Sequence, residues 1–189
     1  MNPLELNFNP FPVLETERLI LRQYTDSDAE ALFSFRSNAQ AMHFVPRPLQ
    51  QSTEDALKMI AQINDNIAAN TSIGWAVQLK ESAKVIGSVS FHRIEKEHHR
   101  GEIGYMIHPD YWGKGLVTEA AAAAVHYGFT GLGFHSIEAI IDPDNVASAR
   151  VLDKLHFVKE AHFKENFVQN GRFTDTAIYS LLKSDYKSR

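Results

Sequence analysis

Gly101-Glu102-Ile103-Gly104-Tyr105-Met106-Ile107-His108-Pro109-Asp110-Tyr111-Trp112-Gly113-Lys114-Gly115-Leu116-Val117-Thr118-Glu119-Ala120 is the stretch on which the fold turns. It reads as a strand that runs into a turn carrying Gly113 and Gly115, followed at once by an amphipathic helix. Two glycines there let the backbone come close to a ligand and point successive amide N–H groups outward. The first turn of the helix adds its own unpaired N–H groups and a partial positive charge. Such an assembly suits a pyrophosphate, although Gly-x-Gly before a helix is also a common structural turn. The stretch lacks the Gly-Lys-Ser/Thr of a Walker loop and the third glycine of a dinucleotide fingerprint. Gly104 is either a point of close approach or a glycine that relieves sheet twist.

Working outward, Arg18–Tyr24 alternates as a strand, and Asp26 opens a helix with Ala29, Leu32, Phe33 and Phe35 at helical spacing. Asn38–Gln51, with Pro46 and Pro48, reads as a short helix followed by a loop. Ser52 or Thr53 caps a second helix with Leu57, Ile60, Ile63 and Ile67 on one face. Ile73–Lys80, Val85–Ile94 and Arg100–Ile107 read as successive strands. An alanine-rich helix over Leu116–Phe129 stops at Gly131 and Gly133. A strand at Ser136–Ile141, a helix at Ala147–Leu155 and strands at Phe157–His162 and Thr174–Leu182 complete the chain. Residues 1–15 read as an irregular arm. This order predicts an α/β (α+β) fold, a mixed sheet with helices packed on it, as one domain over residues 1–189.

Composition bounds the function. The 189 residues carry 19 Lys and Arg against 23 Asp and Glu, a net charge of −4, which excludes a protein built to coat nucleic acid. Cysteine is absent, so disulfides, thiolate metal sites and cysteine nucleophiles are excluded. The nine histidines lack the spacing of a helical zinc motif, and no metal is expected. No apolar run approaches the ~20 residues of a membrane span. The start of the chain has neither the basic nor the apolar segment of a signal peptide. A cytoplasmic location and no membrane partner are the expectations.

Trp112-Gly113-Lys114-Gly115-Leu116-Val117-Thr118-Glu119-Ala120 resembles the acetyl-coenzyme A motif of the GNAT superfamily, and more narrowly its RimJ/RimL-like branch, which acetylates N-terminal residues of ribosomal proteins. Thr16-Glu17-Arg18-Leu19-Ile20-Leu21-Arg22 resembles that branch's opening strand, and Asp142–Phe157 its second coenzyme-contacting segment. Asn170-Gly171-Arg172 with Asp175 resembles its closing hairpin. The resemblance implies a mostly antiparallel central sheet flanked by helices, with strands splayed at the coenzyme site. It implies that the backbone of Tyr105, Met106 and Ile107 and the side chain of Asn145 hold pantetheine. Gly113, Lys114, Gly115, Leu116, Val117 and Thr118 would hold the pyrophosphate. The implied activity is transfer of acetyl from acetyl-CoA to a primary amine, a protein N-terminus or a small amine, by direct attack in a ternary complex. No direct nucleic-acid contact is implied, and a homodimer stays open. The alternative is a non-catalytic acyl-CoA-binding module. Departures from the family pattern bear on it. Trp112 stands where Gln or Arg is common, Val117 where Gly or Ala is, and His156 where Gly is. Leu152 stands at the place of a tyrosine acid and Ile140 at that of a glutamate base.

The reaction sets further requirements. A lysine-like amine of pKa about 10.4 must lose a proton before it attacks, whereas an N-terminal amine near 7.8 needs less help. A thiol of pKa about 8.5 leaves with little protonation, so an acid is useful but dispensable. Glu102, on the strand beside the expected thioester, is the candidate base, or else a solvent-facing or salt-bridged carboxylate. Ser148 either donates to the leaving sulfur or makes a polar contact near a helix start. Glu119 suits the helix dipole. Phe44 and Phe167, within two aromatic-rich segments (38–51 and 162–175), are candidate acceptor-binding residues, or else packing residues.

Overall fold

The computed structural model describes residues 2–169 and 171–187. Asn170, part of the expected closing hairpin, lies outside them. The elements are β1 (Leu14–Glu15), β2 (Leu19–Arg22), α1 (Ala29–Arg36), α2 (Thr53–Ala68), β3 (Ile73–Leu79), β4 (Val85–Glu95) and β5 (Arg100–Ile107). They continue with α3 (Leu116–Thr130), β6 (Ser136–Ile141), α4 (Val146–Lys154), β7 (Val158–Gln169) and β8 (Arg172–Leu182). They form a mixed α/β fold around one eight-stranded sheet of order β1-β2-β3-β4-β5-β6-β8-β7, antiparallel except where β5 meets β6.

Alternation along β3 shows how the sheet divides the core. Trp75 and Val77 pack with Ala120, Ala124 and Phe129 of α3, while Ala76 between them packs with Leu32 and Phe35 of α1 and Ile60 of α2. Helices α1 and α2 therefore cover one face, and α3 and α4 the other. Both faces of β3 are buried, so it reads as an apolar run.

Four expectations need adjustment. Residues 2–13 are irregular as expected, but they are packed down, and the arm ends in a strand: Leu14 and Glu15 pair with Leu21 and Ile20 as β1, Phe8 is buried, and Trp75 donates its indole N–H to the Pro12 carbonyl at 2.8 Å. The 38–51 segment contains turns but no helix. Asn38 Oδ1 accepts the N–H groups of Gln40 and Ala41, and Pro46 and Pro48 supply no donors to continue a ladder. On α2, Ile60 and Ile67 are buried and Ile63 packs against the core as expected, but the first turn buries Ala56 while Leu57 is exposed. The 162–175 connection is the outer end of a long β7–β8 hairpin. A register shift between Phe163 and Phe167 breaks the alternation that would have revealed a strand.

One topological fact positions the site. β5 pairs with β4 along Arg100–Ile107, but with β6 only over Arg100–Glu102. β6 instead follows β8 through all six of its residues, from Ser136 to Ile141. Ile103–Ile107 is thus left without a strand partner on the β6 side among the described residues, and this open edge leads directly into the glycine turn.

Candidate active site

The turn is built to stay in one conformation. Gly113 and Gly115 have φ of 74° and 76°, the left-handed region that glycine occupies without a Cβ penalty. Trp112 donates its indole N–H to the Ile107 carbonyl at 2.7 Å, tying the turn to the end of β5 and engaging that carbonyl before any ligand does. Lys114 Nζ donates to the Asp110 carbonyl at 3.0 Å and lies 5.2 Å from the centre of the Tyr111 ring. From the far side, Arg18 donates to the Lys114 carbonyl at 3.0 Å and pairs with Glu119 at 2.6 Å. Glu119 also accepts from the Thr16 hydroxyl at 2.6 Å and from the Arg18 backbone N–H at 2.9 Å. Burial works against the Glu119 charge, but these donors and the guanidinium outweigh it and lower its pKa. Leu116, Val117 and Thr118 open α3, so their N–H groups begin the helix with no intrahelical acceptor.

At the splay, Asn145 caps α4 by accepting the Ser148 N–H at 3.0 Å, so its side-chain carbonyl is engaged in that cap. Ser148 Oγ lies 2.9 Å from the Tyr105 hydroxyl. This cross-link from the open stretch of β5 to α4 was not legible in the sequence, where Tyr105 contributed only backbone. Burial pushes the Tyr105 hydroxyl up to about 12, moderated by Ser148, so it stays protonated at neutral pH. Leu152 is fully buried, and its carbonyl accepts the Phe157 N–H at 3.0 Å while His156 N–H donates to Asp153 at 3.0 Å. Those two bonds form the reverse turn that ends α4, with His156 at φ 65° where a glycine would sit without strain. Position 152 thus points into the core, and Tyr105 of β5 brings a tyrosine hydroxyl to the splay.

At the closed end of the splay, Glu102 on β5 stands in register with Glu138 on β6. Glu102 shares with Met106 the face of the sheet that α1 and α2 cover. It is buried, pairing with His92 Nε2 at 3.0 Å and Arg93 Nη1 at 3.4 Å. His92 is the extra residue of a β4 bulge between Phe91 and Arg93. A Cβ on Gly104 would meet the His92 ring at 3.2 Å, so Gly104 marks a close approach that lets the imidazole reach Glu102. Burial opposes ionisation of Glu102, yet His92, Arg93 and Arg100 together lower its pKa. Glu138, with Arg100 Nε at 3.7 Å, has its pKa raised, chiefly by burial.

The two aromatic segments meet at one point, where Gln169 Nε2 donates to the His43 carbonyl at 3.3 Å. Phe44 is half-buried, edge-on to His43, whereas Phe167 stands exposed on β7. Among the described residues, no three His, Asp or Glu side chains are grouped to hold a metal ion, and no helix is long and apolar enough to cross a membrane.

This arrangement has known counterparts. The family described as Acetyltransferase (GNAT) domain matches residues 18–158. A Bacillus subtilis (strain 168) protein named Uncharacterized N-acetyltransferase YoaA is 39% identical over 173 residues, 92% of this chain and 98% of its own. The crystal structure of ribosomal-protein-S5-alanine acetyltransferase from Vibrio fischeri has a TM-score of 0.80 at 28% identity, covering 94% of this chain and 100% of that one. Spermidine N-acetyltransferase from Vibrio cholerae, solved with CoA and spermine, has a TM-score of 0.80 at 26% identity, covering 90% and 99%.

Proposed function

Because the chain belongs to the GNAT acetyltransferase family and is an N-acetyltransferase, we propose that it moves acetyl from acetyl-CoA to a primary amine by direct attack within a ternary complex. The observation that carries this reading is the open edge of β5 at Ile103–Ile107, ending in the glycine turn. Pantetheine completes the sheet along that edge. The pyrophosphate rests on the backbone N–H groups between Gly113 and Thr118, at the start of α3. The backbone of Tyr105, Met106 and Ile107 and the free amide end of Asn145 hold the arm.

The amine attacks from the face that α1 and α2 cover. Its nitrogen bonds the thioester carbon, and the oxyanion is held by a β5 amide, that of Met106 or a neighbour. Glu102 takes the proton from the attacking nitrogen. The carbon–sulfur bond then breaks, and Ser148, its hydroxyl positioned by Tyr105, donates a hydrogen bond to the departing thiolate, which leaves as such and takes its proton from solvent. Phe44 and Phe167 flank the acceptor's approach. The reaction needs no metal, and the cytoplasm, where acetyl-CoA and free amines coexist, is the compartment it suits. The names of the relatives span a ribosomal protein and spermidine, and the acceptor of this chain belongs to that broad class of amines.

Release of the CoA thiol with a panel of primary amines tests the reading. Tyr105→Phe and Ser148→Ala should each lower kcat about ten-fold, and the double variant should be little worse than the weaker single, because the two hydroxyls act as one unit. Coenzyme binding without thiol release on any amine would instead indicate a non-catalytic acyl-CoA-binding module.

A further inference from the structure

Arg36, the last residue of α1, is a half-buried cation that the reaction as described does not use. Its Nε is buried without a hydrogen-bond partner, and its Nη1 touches only Met42 Sδ at 3.8 Å. Three other arginines of the sheet differ. Arg22 has Asp28 at 2.8 Å, Arg93 has Glu102 at 3.4 Å and Arg100 has Glu95 at 2.6 Å. Among the described residues no carboxylate lies within ion-pair distance of Arg36. A buried guanidinium nitrogen without an acceptor is costly, and an anion bound at Arg36 would supply one.

Its position says which anion. Arg36 lies close enough to the Tyr24 phenol to affect its ionisation, and Tyr24 donates to the Gly87 carbonyl at 3.3 Å. Gly87 stands opposite Ile107, and Met106 shares the apolar cluster of Phe35 and Met42. Arg36 is therefore on the α1/α2 face, one strand from the open stretch of β5, on the side from which the amine approaches. The sequence around it reinforces the sign. From Ala31 to Thr53 there is no Asp or Glu, and Arg47 adds a second cation, which joins burial, the larger cause, in lowering the Arg36 pKa. Gln50, whose N–H donates to the Arg36 carbonyl at 3.2 Å, contributes another buried unpartnered atom, Oε1, which can accept an N–H of the same ligand.

We propose that the acceptor carries an oxyanion, a carboxylate or a phosphate, near its reacting amine, and that Arg36 binds it. This rests on the transferase reading and narrows it, because a polyamine would bring only positive charge to a positive site. It makes Arg36 a specificity residue rather than part of the acetyl-transfer machinery.

The test compares amines in matched pairs: an amino acid or dipeptide and its C-terminal amide, an aminoalkyl phosphate and its alcohol, with spermidine alongside. Thiol release gives kcat/KM for each, and calorimetry on the CoA-loaded protein gives binding whether or not acetyl is transferred. The wild type should favour the anionic member of a pair roughly ten-fold or more. Arg36→Gln should reduce that preference to within about two-fold, leave the Kd for acetyl-CoA unchanged, and be partly rescued by Arg36→Lys. Preference for carboxylate over phosphate, or the reverse, identifies the source of the oxyanion. Equal or better use of the amide, the alcohol or spermidine by the wild type would overturn the proposal, as would a preference that survives Arg36→Gln. The wild-type ratios decide even if Arg36→Gln does not fold. Binding of anionic amines without thiol release would sink the transferase reading and leave the charge assignment standing.

Discussion

Glu119 links the opening strand to the coenzyme turn, and Glu119→Ala measures what that link contributes. The substitution removes the acceptor for the Thr16 hydroxyl, the Arg18 N–H and the Arg18 guanidinium at once. A hydrogen bond to a charged group contributes about 1.5–3 kcal/mol when its loss leaves a partner unsatisfied. The Arg18 side chain is 46% exposed, so its freed guanidinium rehydrates and its pairing counts for less than about 1 kcal/mol. The hydroxyl and the N–H bring the loss to roughly 2–3 kcal/mol, a fall in Tm of roughly 4–12 °C for a chain of this size. Arg18 also donates to the Lys114 carbonyl, so the turn loosens and the Kd for acetyl-CoA should rise several-fold. The pH dependence has a definite sign. Burial opposes the Glu119 charge but its donors win, so its pKa is lower folded than unfolded. Its stabilisation is complete above the ordinary carboxylate range and disappears as pH falls through the folded value. The Tm gap between wild type and variant should therefore close on acidification. Melting curves across pH and coenzyme calorimetry measure both effects. A variant with unchanged Tm and unchanged Kd would refute the argument.

Three further outcomes are expected. Gly115→Glu should weaken acetyl-CoA binding far more than Gly115→Ala, since both carry the strain of φ 76° but only the first sets an anion against the phosphates; equal losses in calorimetry would show backbone strain alone. If Glu102 is the base, the acidic limb of kcat/KM lies below the ordinary carboxylate range, because His92, Arg93 and Arg100 outweigh burial. Glu102→Gln then abolishes that limb with little change in coenzyme affinity, whereas a limb above the ordinary range that disappears in Glu138→Gln assigns the role to Glu138. His156→Gly should stabilise the fold by about 0.5–1 kcal/mol, since it relieves a left-handed residue; a lowered Tm would mean that the His156 side chain makes a contact worth more than the strain.

What could be read from the sequence followed from local constraints. The turn was legible because Gly113 and Gly115 must adopt positive φ, and Ser136–Ile141 because it is a short apolar run between a glycine stop and a proline-containing loop. Long-range pairings were not. Tyr105 and Ser148 lie 43 positions apart, and nothing in either neighbourhood signals the other. The β7 strand was cut short at His162 because its bulge interrupts the period on which strand recognition depends. On α2 only the first turn misleads: Leu57 and Ala56 compete, and apolarity alone favours the larger side chain although the packed interface with α1 takes the smaller.

The same physics explains why the site sits where it does. β6 can satisfy its backbone against β8 in an antiparallel ladder or against β5 in a parallel one, and the parallel pairing is slightly weaker per residue. A right-handed twist that accumulates along the strands makes both ladders hard to sustain to their ends. The weaker one opens first, after Glu102, leaving the open edge of β5 running directly into Trp112 and the glycines. The bulge at His92 and the missing side chain at Gly104 then place an imidazole against Glu102 at the point of divergence. A side chain on Gly104 would crowd the His92 ring, so the glycine leaves room for the His92–Glu102 contact at the vertex.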